Sequence, residues 1–152
     1  MGIDKRAGKV AAHIRVDLSL LDTPAFISLD WTARSLFLDL RHRMRATNNG
    51  NISASLSELK DRGWNSSATL ARSLRVLEAV GFIRKTRQTV GVRYGCKVCN
   101  LYRFTDIEVY ERKKLDIPAM KPTNDYKVFK TIKEARHAIA QCMGSKEKTT
   151  LQ

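Results

Sequence analysis

The sequence predicts a small α+β fold: a three-helix core, then a β-hairpin, then an extended segment with one more helix. Three observations predict it. Apolar residues recur at three- and four-residue steps behind good N-cap residues at Asp30 and Ser66. A short capped helix ending in Gly63 stands between those two helices. From Phe82 the pattern changes to charged residues between apolar and β-branched ones, around a pair of glycines, as a hairpin requires.

Taken in order, residues 1–12 are basic, small and without period, and are expected to be a flexible arm. His13-Ile14-Arg15-Val16 alternates and is expected to form a short strand. Leu18, Leu20, Leu21, Phe26 and Leu29 surround Pro24 and fit a short helical turn. Asp30 caps the first long helix. Ala33, Leu36, Phe37, Leu40 and Met44 form its inner stripe, and Arg34, Arg41, Arg43 and Arg45 are expected on the other face. Asn48-Asn49-Gly50 tolerates positive φ and stops it. Residues 51–54 have room for one short strand.

Ser55 and Glu58 stand at the spacing of a capping box, which opens a two-turn helix ending at Gly63. Ser66 caps the next helix, with Leu70, Leu74 and Leu77 expected inward and Gly81 closing it. Strands are expected over residues 82–87 and 98–104, with the hairpin tip at 90–95. Residues 105–120 are expected to be extended or irregular, because Pro118 and Pro122 interrupt them. A last helix is expected from Thr131 to Cys142, and a disordered tail over 144–152.

This order is a helix-turn-helix followed by a β-wing, so the predicted fold is the winged helix-turn-helix, over residues 13–105. Residues 106–143 are then a C-terminal extension with its own helix. Charge gives the fold a destination. The 152 residues hold 28 Lys and Arg against 15 acidic residues, a net charge of +13, which favours a polyanionic partner. Residues 46–105 contain ten Lys/Arg and three acids, so the excess is concentrated on the predicted module.

An α-helix fits the major groove of duplex DNA, with its N-terminal residues nearest the base edges. The helix opened by Ser66 offers Ser66, Ser67, Thr69, Arg72, Ser73 and Arg75 as its expected outward face. Arg72 is long enough for a bidentate contact to guanine. The wing adds Arg84, Lys85, Arg87, Arg93 and Lys97 as expected contacts to the sugar-phosphate backbone, which position a protein without specifying sequence.

Three segments, Leu20 to Phe26, Asn48-Asn49-Gly50 and Ala71 to Ile83, resemble those of small helix-turn-helix proteins from proteobacterial phages, plasmids and integrated elements. The resemblance spans roughly residues 13–130 and extends to the general pattern of winged-helix regulators and plasmid replication initiators. It implies a sequence-specific double-stranded DNA-binding protein, with transcription regulation of a mobile element as its role. Replication initiation or partition at origin repeats, and a protein-binding factor that modulates a host, are the alternatives. The chain departs from the pattern at Trp64 and Asn65, and in carrying Cys96 and Cys99.

Other chemistry fits the residues less well. Cys96 and Cys99 have half the spacing of a zinc site, but Cys142, His13, His42 and His137 supply no matching pair. Asp39, Glu58 and Asp61 read as solvating or capping groups on helix surfaces, and no nucleophile–base spacing stands out. Trp31, Trp64, Tyr94, Tyr102 and Phe104 could stack on single-stranded bases, although such residues are more often core. The expectation is a non-enzymatic protein without cofactor, metal or small-molecule effector. It is expected to act as a homodimer through the first long or the last helix. No apolar run reaches the ~20 residues of a membrane span, and no secretory pattern follows Met1, so the expected location is the cytoplasm.

Overall fold

The computed structural model describes residues 8, 10–87, 92–93, 96–97 and 99–144, with the strand backbone alone for 92–93 and 96–97. Most of the basic arm, the expected 90–95 tip apart from the backbone of 92–93, which is strand rather than turn, the side chains of Arg93, Lys97 and Cys96, and the tail beyond Gly144 lie outside the described residues.

The chain is α+β, with six α-helices and a three-stranded antiparallel sheet among the described residues. Two single-turn helices, α1 (Leu18–Leu21) and α2 (Pro24–Ile27), precede α3 (Trp31–His42). Thr23 caps α2, and Pro24 at its first position has the φ a helix start requires. Asp30 caps α3, its Oδ1 accepting the Ala33 N–H at 2.9 Å. The expected strand at 13–16 does not form: those residues have no regular structure and are mostly exposed. Alternation over four residues cannot hold a strand that has no partner to pair with.

Strand β1 (Ile52–Ser53) leads into α4 (Leu56–Leu59), where the Glu58 carboxylate accepts from both the N–H and the hydroxyl of Ser55. A single 3-10 turn, Lys60–Arg62, ends at Gly63, whose φ of 91° reverses the chain where a side chain would be strained. Helix α5 (Ser67–Ala79) follows, capped by Ser66 Oγ on the Thr69 N–H at 3.2 Å. Strands β2 (Ile83–Arg87), β3 (Val92–Arg93), β4 (Cys96–Lys97) and β5 (Leu101–Phe104) complete the strands. The sheet order is β1-β5-β2, all antiparallel, and β3 pairs with β4 as a separate ribbon between β2 and β5.

All four residues of β5 are buried because both faces of the sheet are covered. Tyr102 and Phe104 join the main core, while Leu101 packs with Val109 and Ile117, and Arg103 donates to Thr123 Oγ1. Residues 105–120, expected to be extended or irregular, thus form, with residues 121–130, a strap across the back of the sheet. It folds on itself through bridges between Val109 and Met120 and between Arg112 and Ile117. Helix α6 (Ile132–Gly144) then packs on α5 and α2.

At the centre, the Phe37 ring meets Phe26, Phe82 and Phe104 edge to face at centroid distances of 5.4–5.7 Å. Tyr126, from the strap, stacks on Phe82 at 4.9 Å. Among the described residues, no helix is long and apolar enough to cross a membrane.

Two charged residues expected on helix surfaces are buried instead. Arg41 is not on an outer face. It is buried, lies over the rings of Phe37 and Phe104, and pairs with Asp106 at 2.7 Å. Asp39 is not a solvating group. It is buried, and accepts the Trp64 indole N–H at 2.8 Å and Arg62 Nε at 2.6 Å. The ion pair and indole bond make burial of that carboxylate tolerable. They also account for Trp64, which anchors the turn between α4 and α5 to α3.

Candidate functional site

Helix α5 is held from two sides, by α3 and by α6, and this fixes which of its residues reach solvent. Leu70, Ser73, Val76 and Leu77 are buried and Leu74 is half-buried. Ser66, Ser67, Ala68, Thr69, Ala71 and Arg72 are exposed. The open face is therefore the N-terminal half of the helix. Its side chains are short except for Arg72, and its first backbone N–H groups point outward from a positive dipole end.

Ser73 is the clear correction among the expected outward residues: it is fully buried. It follows Leu70 by three residues and precedes Leu77 by four, so helical phase puts it on the inner stripe whatever its polarity. Arg75 is also displaced from the expected face. It is half-buried and, with Glu78, Ala138 and Cys142, lines a shallow groove between α5 and α6, where its carbonyl accepts from Cys142 Sγ at 3.7 Å.

The expected wing cations divide in two. Arg84 is tied back into the molecule, its Nε donating to Asp125 at 2.7 Å and its Nη1 to the Glu78 carbonyl at 2.7 Å. Lys85 lies 3.5 Å from Glu78. These two sit where β2 leaves α5 and serve the fold. Arg87, at the far end of β2, meets no acid among the described residues, and its Nη2 donates to the Cys99 carbonyl at 3.1 Å. Arg93 and Lys97 belong to the β3–β4 ribbon beyond it; the backbone register pairs Arg93 with Cys96 and Val92 with Lys97.

Two neighbours of the open face were not anticipated. The first is Asp30, whose Oδ2 accepts Arg72 Nη1 while its Oδ1 caps α3. Burial acts to raise its pKa, but hydrogen bonds from the Ala33 N–H, Arg72 and Thr32 outweigh burial and hold it below the ordinary aspartate value. The second is Trp31, 81% exposed, which with Ser35, Arg62, Asn65, Ser66 and Thr69 lines an open cleft of about 440 Å³ beside the start of α5. A signal for Trp31 exists in the sequence. Trp31 and Leu38 are seven apart and out of phase with the Ala33-Leu36-Phe37-Leu40 stripe, so two large apolar residues share the outer face. No such local signal joins Asp30 to Arg72, 42 residues later.

Compared with protein-family models, curated proteins and solved structures, the chain gave no match.

Proposed function

We propose that this chain is a winged-helix protein that binds double-stranded DNA sequence-specifically, with transcription regulation of a mobile element as its role. One observation carries the reading. The half of α5 left open by its neighbours is the half that a groove-reading helix uses, and it presents Ser66, Ser67, Thr69 and Arg72 with no acid among them. The sheet order β1-β5-β2, with a ribbon between β2 and β5, supports the winged-helix reading. The net charge of +13 supports a polyanionic partner.

In this reading α5 enters the major groove and Arg72 contacts a guanine edge. Arg87, Arg93 and Lys97 follow the backbone beside it. Arg84 and Lys85, occupied by Asp125 and Glu78, hold the hairpin against α5. A second copy is the expected partner across α3, whose outer stripe carries the exposed Trp31 and Leu38.

The experiment is a gel shift on duplexes that the wild-type protein selects from a randomised pool. Arg72→Ala is expected to weaken binding to the selected site by about tenfold or more, the worth of a good bidentate base contact. Arg75→Ala is expected to change it less than threefold, because Arg75 faces α6. Equal effects of the two, or no selected site at all, would remove α5 from the interface.

A further inference from the structure

We propose that Asp30 is a positioning residue that sets guanine specificity by presenting Arg72 in one orientation. The inference rests on the duplex-binding reading above and deepens it.

Arg72 is on the exposed side of α5, and a free arginine there would sample many rotamers. Asp30 removes that freedom from a fixed point. Its carboxylate cannot move with Arg72, because Oδ1 is held by the Ala33 N–H at 2.9 Å and the Thr32 hydroxyl at 3.0 Å. Only Oδ2 faces Arg72, and it takes Nη1. Among the described residues Arg72 has no other partner. The Nε–Nη2 edge therefore stays free, and its two parallel N–H groups match O6 and N7 of guanine.

The energetics point the same way. Both side chains are close to half exposed, at 45% and 40%. An exposed ion pair adds little to folding stability. What it does supply is order in advance of binding, so that less side-chain entropy is lost when the base is met. A carboxylate beside the groove also repels phosphate, so an arginine not engaged with a base is held back from non-specific backbone contact. Asp30 thus trades general affinity for discrimination.

Asp30→Asn separates this role from the cap, because asparagine caps a helix as well as aspartate does. Its thermal midpoint is expected to stay within a few degrees of wild type, while Asp30→Ala, which loses the cap, falls further. In the site selected by the wild type, 7-deazaguanine at the contacted position is expected to weaken wild-type binding about tenfold. For Asp30→Asn that penalty is expected to shrink to about threefold or less, with binding to unrelated duplex rising. In an Arg72→Ala background, Asp30→Asn is expected to leave base preference unchanged.

Should Asp30→Asn keep the full 7-deazaguanine penalty, the positioning role is wrong while the duplex reading stands. Should the wild type select no site, the duplex reading fails, and this inference goes with it. Should base preference change equally in the Arg72→Ala background, Asp30 acts without Arg72 and the inference is overturned.

Discussion

Gly81 illustrates how much one residue does at the join between α5 and the sheet. Its φ is 81°, and a Cβ there would lie 2.8 Å from the Asp125 carbonyl carbon and the Tyr126 nitrogen. Both are backbone atoms, so neither can swing aside. Gly81→Ala combines left-handed strain with a backbone clash and is expected to cost about 2–4 kcal/mol. Gly63, with φ at 91° and nothing within 4 Å of a Cβ, is the matched control: Gly63→Ala is expected to cost about 1 kcal/mol. Urea unfolding midpoints of the two variants check this, and equal losses would rule out the strap contact as the cause. The sequence marks both glycines as helix stops, because a stop is a local property. It does not mark the strap beneath Gly81, which arrives more than 40 residues later. Asn49 is similar. It reads as a turn residue, but its buried amide donates to the Phe104 and Ile107 carbonyls and accepts the Phe104 N–H. Ser73 shows the opposite: its polarity suggests the outer face, but the phase of α5, set by Leu70 and Leu77, puts it inside.

Elements were legible where capping and period agree. Asp30, Ser55 and Ser66 each open the helix expected of them, and α6 falls within two residues of its expected span. The strap was not legible, since its hold on the sheet comes from Leu101, Val109, Ile117 and a set of charges, none of them periodic. Those charges make the strap's attachment depend on pH. Burial acts to raise the Asp125 carboxyl, but hydrogen bonds from Thr123 and Arg84 and the charges of Arg84 and Arg103 outweigh it, so its pKa lies below the ordinary value. A carboxylate depressed in the folded state stabilises fully above its unfolded pKa, about 4, and that contribution is lost as pH falls through the folded pKa. Asp125→Asn is therefore expected to lower the thermal midpoint at pH 7 and to converge with wild type as pH falls through the folded pKa. A constant gap across that range would mean that the strap is held by shape rather than by charge.

For the whole molecule, the 28 Lys and Arg overstate the cations that a polyanion meets, because several are tied to acids, pairs that the net charge of +13 already counts as zero. Arg41, Arg43, Arg62 and Arg84 pair with Asp106, Glu58, Asp39 and Asp125, each at 2.6–2.9 Å. Arg41 is the extreme case, its side chain 3% exposed between two phenyl rings. Counterion release counts only cations that reach phosphate, and each contributes about 0.9 to the slope of log affinity against log salt. Two arginines then separate folding from binding. Arg41→Ala leaves Asp106 without its partner beside the core and is expected to cost about 3–5 kcal/mol of stability. Measured at a temperature where the variant stays folded, its duplex affinity is expected to keep the wild-type salt slope. Arg87→Ala, at the far end of β2 with no acid beside it among the described residues, is expected to do the reverse: a thermal midpoint near wild type and a slope shallower by about 0.9. Titrations at four salt concentrations, with unfolding curves on the same preparations, decide it. A slope that changes with Arg41 and not with Arg87 would put the duplex on the wrong side of the molecule. The interface would then have to be sought away from the open half of α5.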